Sequence, residues 1–129
     1  DSWTKYIVAY DYDLDKGEVS NKRKFADIVD QKGATDGSTV DSEGYLWNAQ
    51  AYSGKVVRYS PDGKVDRVID FPILKVTSVM FGGKNLDLLF VTTMGKALER
   101  FAPTQPKGGS LFVIRDLGIK GVPEPRFAG

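Results

Sequence analysis

A strand–turn–strand pattern that occurs twice constrains the fold more than any other feature of the sequence. In its first copy, the segment Ser38–Val40 is followed by a turn at Asp41–Gly44 and by Tyr45–Trp47. In its second copy, Ser78–Met80 is followed by a turn and by Leu88–Phe90. The copies lie roughly 40 residues apart, and a period of about 40–45 residues with four strands per repeat is typical of a β-propeller blade. The repeat therefore predicts propeller blades.

The rest of the chain also favours an all-β architecture. Short segments rich in β-branched and aromatic residues alternate with turn signals such as Pro61-Asp62-Gly63. We predict strands at 6–12, 18–25, 37–41, 45–50, 55–60, 65–71, 76–81, 86–93, 109–115 and 119–127. Short helical turns are predicted at 26–28 and at 95–101, the second within a long irregular stretch over 94–107. A β-sandwich has the same strand spacing and stays open as an alternative.

The predicted blades divide the chain into three parts. Its 129 residues are the size of one domain. Residues 1–33 would form the end of one blade, residues 34–73 a second blade and residues 74–129 a third. The sequence begins without an initiator methionine, so we expect the chain to have been cut or processed from something longer.

Composition excludes several classes of function. The 18 basic and 17 acidic residues give a net charge of +1, which points to neither nucleic acid nor an anionic membrane. With no cysteine and no histidine, the chain has no disulfide, no zinc–thiolate site and no imidazole base. Any metal must be held by oxygen atoms, which favours a hard cation or a divalent ion of mixed preference. The absence of cysteine fits a cytoplasmic protein.

Acidic residues in three places are candidates for a site. Asp36 precedes Gly37 at the start of a predicted strand, where it is either a turn residue or a ligand that the sheet holds in place. Asp41 and Glu43 lie in the turn at the far end of that strand, and we expect both to be solvated. The alternating aspartates Asp11, Asp13 and Asp15 superficially resemble a calcium loop. The segment lacks the glutamate at the twelfth position and the flanking helices of a calcium-binding loop, so we interpret it as a hairpin turn. We expect Trp47 and Phe90 to anchor the core, and Trp3 has no assigned role.

A larger set of motifs resembles the regucalcin (senescence marker protein)/gluconolactonase/luciferin-regenerating enzyme family. They occur in order as Asp36-Gly37-x-x-Val40-Asp41-x-Glu43-Gly44-x-Leu46-Trp47-x-Ala49, Gly54-x-Val56-x-Arg58-Tyr59-x-Pro61-Asp62-Gly63, Thr77-Ser78-x-x-Phe81-Gly82-Gly83 and Val91-Thr92. The resemblance covers essentially the whole chain. It implies a six-bladed propeller, of which this chain would supply about two and a half blades.

The resemblance also implies a metal site at one end of the central channel. The family's ligands are a glutamate of the first blade, an asparagine of a middle blade and an aspartate that matches Asp36. The first two would lie upstream of Asp1. Thr35 stands where the family usually has proline, which would loosen the turn that aims Asp36, and Asn48 stands where valine is common.

The function implied by the resemblance is metal-dependent hydrolysis of a sugar lactone or a similar small ester. Asp36 would be both a metal ligand and a catalytic base, while Thr77 and Ser78 would bind the substrate at the start of the next inner strand. Calcium, zinc, magnesium and manganese are all possible ions. A calcium-binding or regulatory propeller and a purely structural half-propeller stay open. In each case a further polypeptide segment or self-association would complete the ring.

Overall fold

The computed structural model describes residues 2–95 and 105–125, and all the regular elements in these ranges are β-strands. The all-β prediction is therefore confirmed. Within the described ranges, no helix has the length and apolar character needed to cross a membrane. The strands are β1 (Tyr6–Asp13), β2 (Glu18–Asp27), β3 (Ala34–Val40), β4 (Leu46–Ala51), β5 (Lys55–Tyr59), β6 (Val65–Asp70), β7 (Val76–Gly82), β8 (Leu88–Thr93) and β9 (Leu111–Ile114).

The strands form three antiparallel sheets in which neighbours in sequence are neighbours in space. The first sheet contains β1 and β2, the second contains β3 to β6 in order, and the third contains β7 to β9 in order. A four-stranded meander such as the second sheet is the topology of a propeller blade. The blade limits at 33/34 and 73/74 stay a prediction.

Turn chemistry explains why these strands begin and end where they do. Asp13 caps the β1–β2 hairpin, because its carboxylate accepts hydrogen bonds from the N–H groups of Asp15 and Lys16 at 3.0 Å. The hairpin interpretation of the three aspartates is therefore confirmed. In the β5–β6 turn, Gly63 has φ = +79°, a conformation that costs glycine little. The N–H of Gly63 donates to the carbonyl of Ser60 at 2.8 Å.

The main core lies between the second and third sheets. Trp47 is fully buried, and its ring meets that of Phe81 edge to face, with centroids 5.8 Å apart and planes at 82°. The other buried members of this cluster are Ala49, Val56, Val76, Val79, Leu89, Val91 and Ile119. The prediction that Trp47 anchors the core is confirmed. Phe90 is only partly buried, because strand alternation turns its neighbours Leu89 and Val91 to the core. The prediction for Phe90 was wrong.

Three predicted elements differ from the structure. Residues 26 and 27 continue β2 instead of forming a helical turn, because Ala26 packs with Val57 and Tyr59 of the second sheet. In place of the strand at 119–127, the described part to residue 125 has one isolated bridge, between Asp41 and Gly121. Two prolines in that segment remove backbone donors. The predicted helix at 95–101 lies outside the described residues except for Gly95.

The edge strands β3 and β7 lie against each other and bring the second and third sheets together. Gly37 of β3 makes this approach possible. A Cβ built on Gly37 would lie 2.6 Å from the Cβ and 2.8 Å from the Cα of Ser78 on β7. Real Cβ atoms essentially never come so close to another heavy atom. The glycine is therefore required for close packing between strands, and its φ is not positive.

We expect Gly37→Ala to lower the free energy of unfolding by about 1–3 kcal/mol, because the added methyl group overpacks the β3–β7 contact. Chemical denaturation measures the change. The double variant Gly37→Ala/Ser78→Gly should recover part of the loss, since it removes the Ser78 Cβ but leaves its Cα in place. An unchanged stability in the single variant would show that the two strands do not pack this closely.

Candidate functional site

Asp36 and Gly37 form a β-bulge in β3. Thr35 pairs with Gln50 of β4 and Ser38 pairs with Asn48, so these two residues of β3 stand opposite one residue of β4. A bulge interrupts side-chain alternation and re-aims the side chains on it, and bulges are common beside active sites. The carboxylate of Asp36 is thus held at an irregularity of a strand that is otherwise rigidly paired.

The neighbouring strand β7 has an irregularity at the corresponding place. Val76 pairs with Thr93 of β8 and Ser78 pairs with Thr92, so Thr77 is the additional residue. The hydroxyls of Thr77 and Thr92 share a hydrogen bond of 2.8 Å, which ties Thr77 to β8. The structure therefore places Ser78 against the glycine that follows Asp36, and it directs the Thr77 hydroxyl to the adjacent strand.

Asp36 separates two clefts. One cleft of about 180 Å³ is lined by Ser2, Trp3, Ala34, Thr35, Asp36, Ala51, Tyr52 and Met94. The other, of about 190 Å³, is lined by Tyr6, Ile7, Val8, Thr35, Asp36, Ser38 and Asn48. Although Asp36 is exposed, partial burial between these walls raises the pKa of its carboxyl, and a hydrogen bond from the Gly37 N–H opposes that rise. The site therefore combines an accessible carboxylate with two small cavities.

Asn48 holds the bulge from the opposite strand. Its amide Nδ2 donates to the main-chain carbonyl of Asp36 at 3.0 Å and to Oγ of Ser38 at 2.9 Å. The side chain is buried, with 1% exposure, and its Oδ1 has no hydrogen-bond partner among the described residues. The two hydrogen bonds of Nδ2 stabilise the bulge. The unpaired Oδ1 opposes them, because a buried acceptor without a partner lowers the free energy of unfolding.

The role of Asn48 could have been found from the sequence. Strand alternation places Asn48 and Gln50 on one face of β4, opposite the core residues Trp47 and Ala49. Two amides on a buried face, directly across from the start of β3, are a signal for polar contacts with that strand. The resemblance to the family marks Asn48 only as a departure from the usual valine.

We expect Asn48→Val to leave the free energy of unfolding within about 1 kcal/mol of the wild type. The variant loses two hydrogen bonds but also removes the unpaired Oδ1, and the two effects oppose each other. Gln50→Leu is the matched control, because both ends of that buried amide are bonded, to the Tyr59 hydroxyl at 2.7 Å and to the Val29 N–H at 3.3 Å. The control should lose about 1–3 kcal/mol. Equal losses in denaturant would contradict this assignment.

The prediction that Asp41 is solvated was wrong. Asp41 is buried, with 1% exposure, because Arg58 of β5 lies over the turn and pairs with it at 2.8 Å. The same carboxylate accepts hydrogen bonds from the indole N–H of Trp47 at 2.8 Å and from the Tyr45 N–H at 3.1 Å. Glu43 stays exposed and pairs with Arg58 at 2.6 Å. The buried pair of Asp41 and Arg58, with the exposed Glu43 at its edge, stabilises the end of β3 away from Asp36.

No group of three or more Asp, Glu, His or Cys side chains suited to hold a metal ion occurs within residues 2–95 and 105–125. Asp36 is therefore one possible ligand and not a complete site within these ranges. Oxygen ligands from outside the described residues would have to complete the coordination of a hard cation, which takes six or more oxygens.

Comparisons with known proteins give the family and the fold. The chain is 37% identical to regucalcin of Gallus gallus and 36% identical to that of Homo sapiens, over its entire length in both cases. It spans 44% of the length of each of these relatives. A solved structure of luciferin-regenerating enzyme superposes with a TM-score of 0.84 at 32% identity, covering 95% of this chain and 41% of that enzyme.

A second solved structure, a calcium-binding regucalcin from Agrobacterium tumefaciens, has a TM-score of 0.80 at 30% identity, covering 97% of this chain and 43% of that protein. Because the chain superposes on these two solved structures, its sheets are blades of a β-propeller. The β-sandwich alternative was therefore wrong. The protein-family model described as the SMP-30/Gluconolactonase/LRE-like region matches residues 1–95 of the sequence. The chain belongs to the SMP-30/gluconolactonase/LRE-like family.

Proposed function

We propose that this protein is a divalent-metal-dependent hydrolase of sugar lactones or similar small esters, and that this chain supplies part of the site. The observation that carries the proposal is the carboxylate of Asp36, which a bulge in β3 aims between two clefts. The family name includes gluconolactonase, which supports this reaction class.

The chemistry needs an activated water and a polarised carbonyl. When bound, a divalent cation supplies Lewis acidity and lowers the pKa of a coordinated water. The oxygens of Asp36 suit a hard cation, and the carboxylate can also accept a proton from an attacking water within hydrogen-bond reach.

Ser78 and Thr77 are proposed to bind the substrate. Ser78 is exposed and packs against Gly37, so its hydroxyl lies near the bulge and can donate to a ligand oxygen. Thr77 stands on the matching irregularity of β7, where its hydroxyl is already paired with Thr92. We therefore expect Ser78 to contribute more to substrate affinity than Thr77.

A second candidate function is calcium binding without turnover. It is favoured by the solved relative from Agrobacterium tumefaciens, which is described as a calcium-binding protein. The same carboxylate would serve both functions, because calcium takes aspartate oxygens as ligands. A structural propeller without a functional metal is the third possibility.

A further polypeptide segment or a second copy is proposed to complete the propeller. Within the described residues the first sheet has only β1 and β2. A two-stranded sheet is marginally stable in water, and an unpaired strand edge is a template for another strand. We also propose a cytoplasmic location, on the basis of the cysteine-free sequence.

The proposed function is tested by a lactone hydrolysis assay on the purified protein, with D-glucono-1,5-lactone as substrate, before and after treatment with a chelator. The hydrolase proposal predicts that chelation removes turnover and that added divalent ions restore it. Turnover that is unaffected by the chelator would contradict the metal mechanism. Calcium binding without turnover would instead support the regulatory function. Native mass spectrometry of the same sample shows whether another polypeptide accompanies the chain.

A further inference from the structure

A cavity of about 610 Å³ lies at the end of the third sheet away from Asp36. Strand β7 passes the Asp36 bulge at Ser78 and ends at Gly82, and four residues of strand span about 13 Å. One wall of the cavity comes from the β7–β8 turn and the start of β8, and the other from residues 115–120 after β9. The cavity is therefore separate from the two clefts beside Asp36.

Main-chain hydrogen bonds hold both walls in place. The N–H of Gly121 donates to the carbonyl of Leu86 at 2.8 Å, which joins the segment after β9 to the β7–β8 turn. The N–H of Ser42 donates to the carbonyl of Lys120 at 2.8 Å, which joins that segment to the second sheet as well. The cavity is thus preformed, as sites for small molecules usually are.

Each wall also contains a strained residue. Leu86 has φ = +54° and Asp116 has φ = +58°. Residues other than glycine seldom adopt positive φ, and a leucine gains no local hydrogen bond from it. Such strain persists only where the surrounding structure imposes it, and it clusters at sites that hold ligands. The two strained residues therefore favour a binding role for the cavity.

The charged side chains of the cavity make no ion pair with any residue in 2–95 or 105–125. Three are cationic and two are anionic, which gives the lining a net charge of +1. They are Lys84, Arg115, Lys120, Asp87 and Asp116. The excess of cations favours a ligand with an anionic group, and the two carboxylates need hydrogen-bond donors.

These groups match the parts of a phosphorylated, hydroxylated molecule. Arginine binds phosphate through two parallel hydrogen bonds and lysine binds it as a point charge. The carboxylates of Asp87 and Asp116 can accept hydrogen bonds from hydroxyl groups, and Leu88 and Leu117 supply an apolar surface for a carbon skeleton. The volume lies within the range of about 300–1,000 Å³ that is usual for small-molecule sites.

We propose that this cavity is a second ligand site, which binds a hydroxylated phosphomonoester at the end of the blades away from Asp36. Neither the divalent cation nor the hydrolysis proposed above is needed for this binding. The two proposals can therefore fail independently of each other.

An amide ¹H–¹⁵N NMR titration of the purified protein tests the site. The probes are D-glucose 6-phosphate, inorganic phosphate and D-glucose, at constant ionic strength and with a chelator present so that no divalent cation holds phosphate near Asp36. We expect both phosphates to shift amide signals within residues 84–88 and 115–120, and glucose to leave them unchanged. Glucose 6-phosphate should bind roughly tenfold more tightly than inorganic phosphate, because its hydroxyls add hydrogen bonds.

Two substitutions should change phosphate affinity in opposite directions, which loss of folding cannot do. Arg115→Gln should weaken the binding of inorganic phosphate roughly tenfold, since it removes a charged donor. Asp116→Asn should strengthen it roughly two- to fivefold, because it removes a repelling charge and asparagine also tolerates positive φ. Lys22→Gln is the matched control, an exposed lysine of β2 outside the cavity, and should bind as the wild type does.

Three results would overturn the proposal: no glucose 6-phosphate shifts within residues 84–88 and 115–120, wild-type phosphate affinity in Arg115→Gln, or weakened affinity in Asp116→Asn. The lactone assay is read separately. Phosphate binding without hydrolysis would support this site and not the proposed reaction, whereas hydrolysis without phosphate binding would support the reaction and not this site.

Discussion

Replacing Asp41 with alanine is expected to lower the free energy of unfolding by about 3–5 kcal/mol, the usual effect of removing one partner from a buried ion pair. The carboxylate is buried and pairs with Arg58, whose side chain is 5% exposed, at 2.8 Å. The substitution would also leave the indole N–H of Trp47 and the N–H of Tyr45 without their acceptor. Chemical denaturation followed by tryptophan fluorescence measures the loss, because Trp47 reports directly on this region.

Glu43→Gln is the matched control for Asp41→Ala. Glu43 also pairs with Arg58, but its side chain is 54% exposed. Water screens an exposed pair, so the expected loss is below about 1 kcal/mol. If both variants lost the same stability, the burial of Asp41 would not be the origin of its effect.

The contribution of Asp41 should depend on pH in a defined direction. Burial by itself raises the pKa of Asp41. Hydrogen bonds from the side chains of Trp47 and Arg58 and from the main-chain N–H groups of Tyr45 and Glu43 outweigh that rise and hold the pKa below its usual value of 3.8. A carboxyl with a lowered folded-state pKa stabilises the protein at pH values above 3.8, and this contribution disappears as pH falls through the folded-state pKa. The stability difference between the wild type and Asp41→Asn should therefore be constant from pH 7 to about 5 and shrink below pH 3.8. A difference that grew on acidification would contradict the sign of the shift.

Replacing Asp36 with alanine is the second large effect that we expect. Turnover of the lactone should fall about 10²–10⁴-fold, the range for loss of a group that transfers a proton in the reaction. The fold should persist, because Asp36 is exposed and the bulge is held through its main-chain carbonyl by Asn48, which alanine does not disturb. The measurement is kcat and KM at saturating metal, with circular dichroism and denaturation as checks on the fold.

Asp15→Asn is the matched control for Asp36→Ala. Asp15 is an exposed aspartate in the β1–β2 hairpin, and the carboxylate that caps this turn is that of Asp13. Its substitution should leave both kinetic constants unchanged. Retained turnover in Asp36→Ala would mean that a different carboxylate performs the chemistry.

The order of the strands could be predicted because the turn residues act locally. Asp13 caps one hairpin and Gly63 adopts the positive φ of another, and both effects depend only on residues a few positions away. The strand end that was predicted wrongly depends on contacts with another sheet. Ala26 extends β2 because Tyr59 packs on it, and no property of residues 26–28 alone carries that information.

The same reasoning explains which parts of the candidate site could be predicted. The motif predicts Asp36, but the bulge that aims its carboxylate follows from the pairing of β3 with β4. The sequence predicts a solvated Asp41 because its partner Arg58 lies 17 residues further along the chain. Trp3 and Tyr52, 49 positions apart, meet only in the folded chain. Contacts between distant segments are set by tertiary packing, to which local propensity is blind.

Titration calorimetry of the purified protein with Ca²⁺, and separately with Mn²⁺, tests the central claim that Asp36 binds a divalent cation. Our account predicts that at least one ion binds to the wild type and that Asp36→Asn weakens its affinity by roughly 100-fold or more, because a direct ligand matters at least as much as an outer-shell partner. Asp15→Asn should bind as the wild type does. Equal affinities in the wild type and Asp36→Asn would contradict the claim.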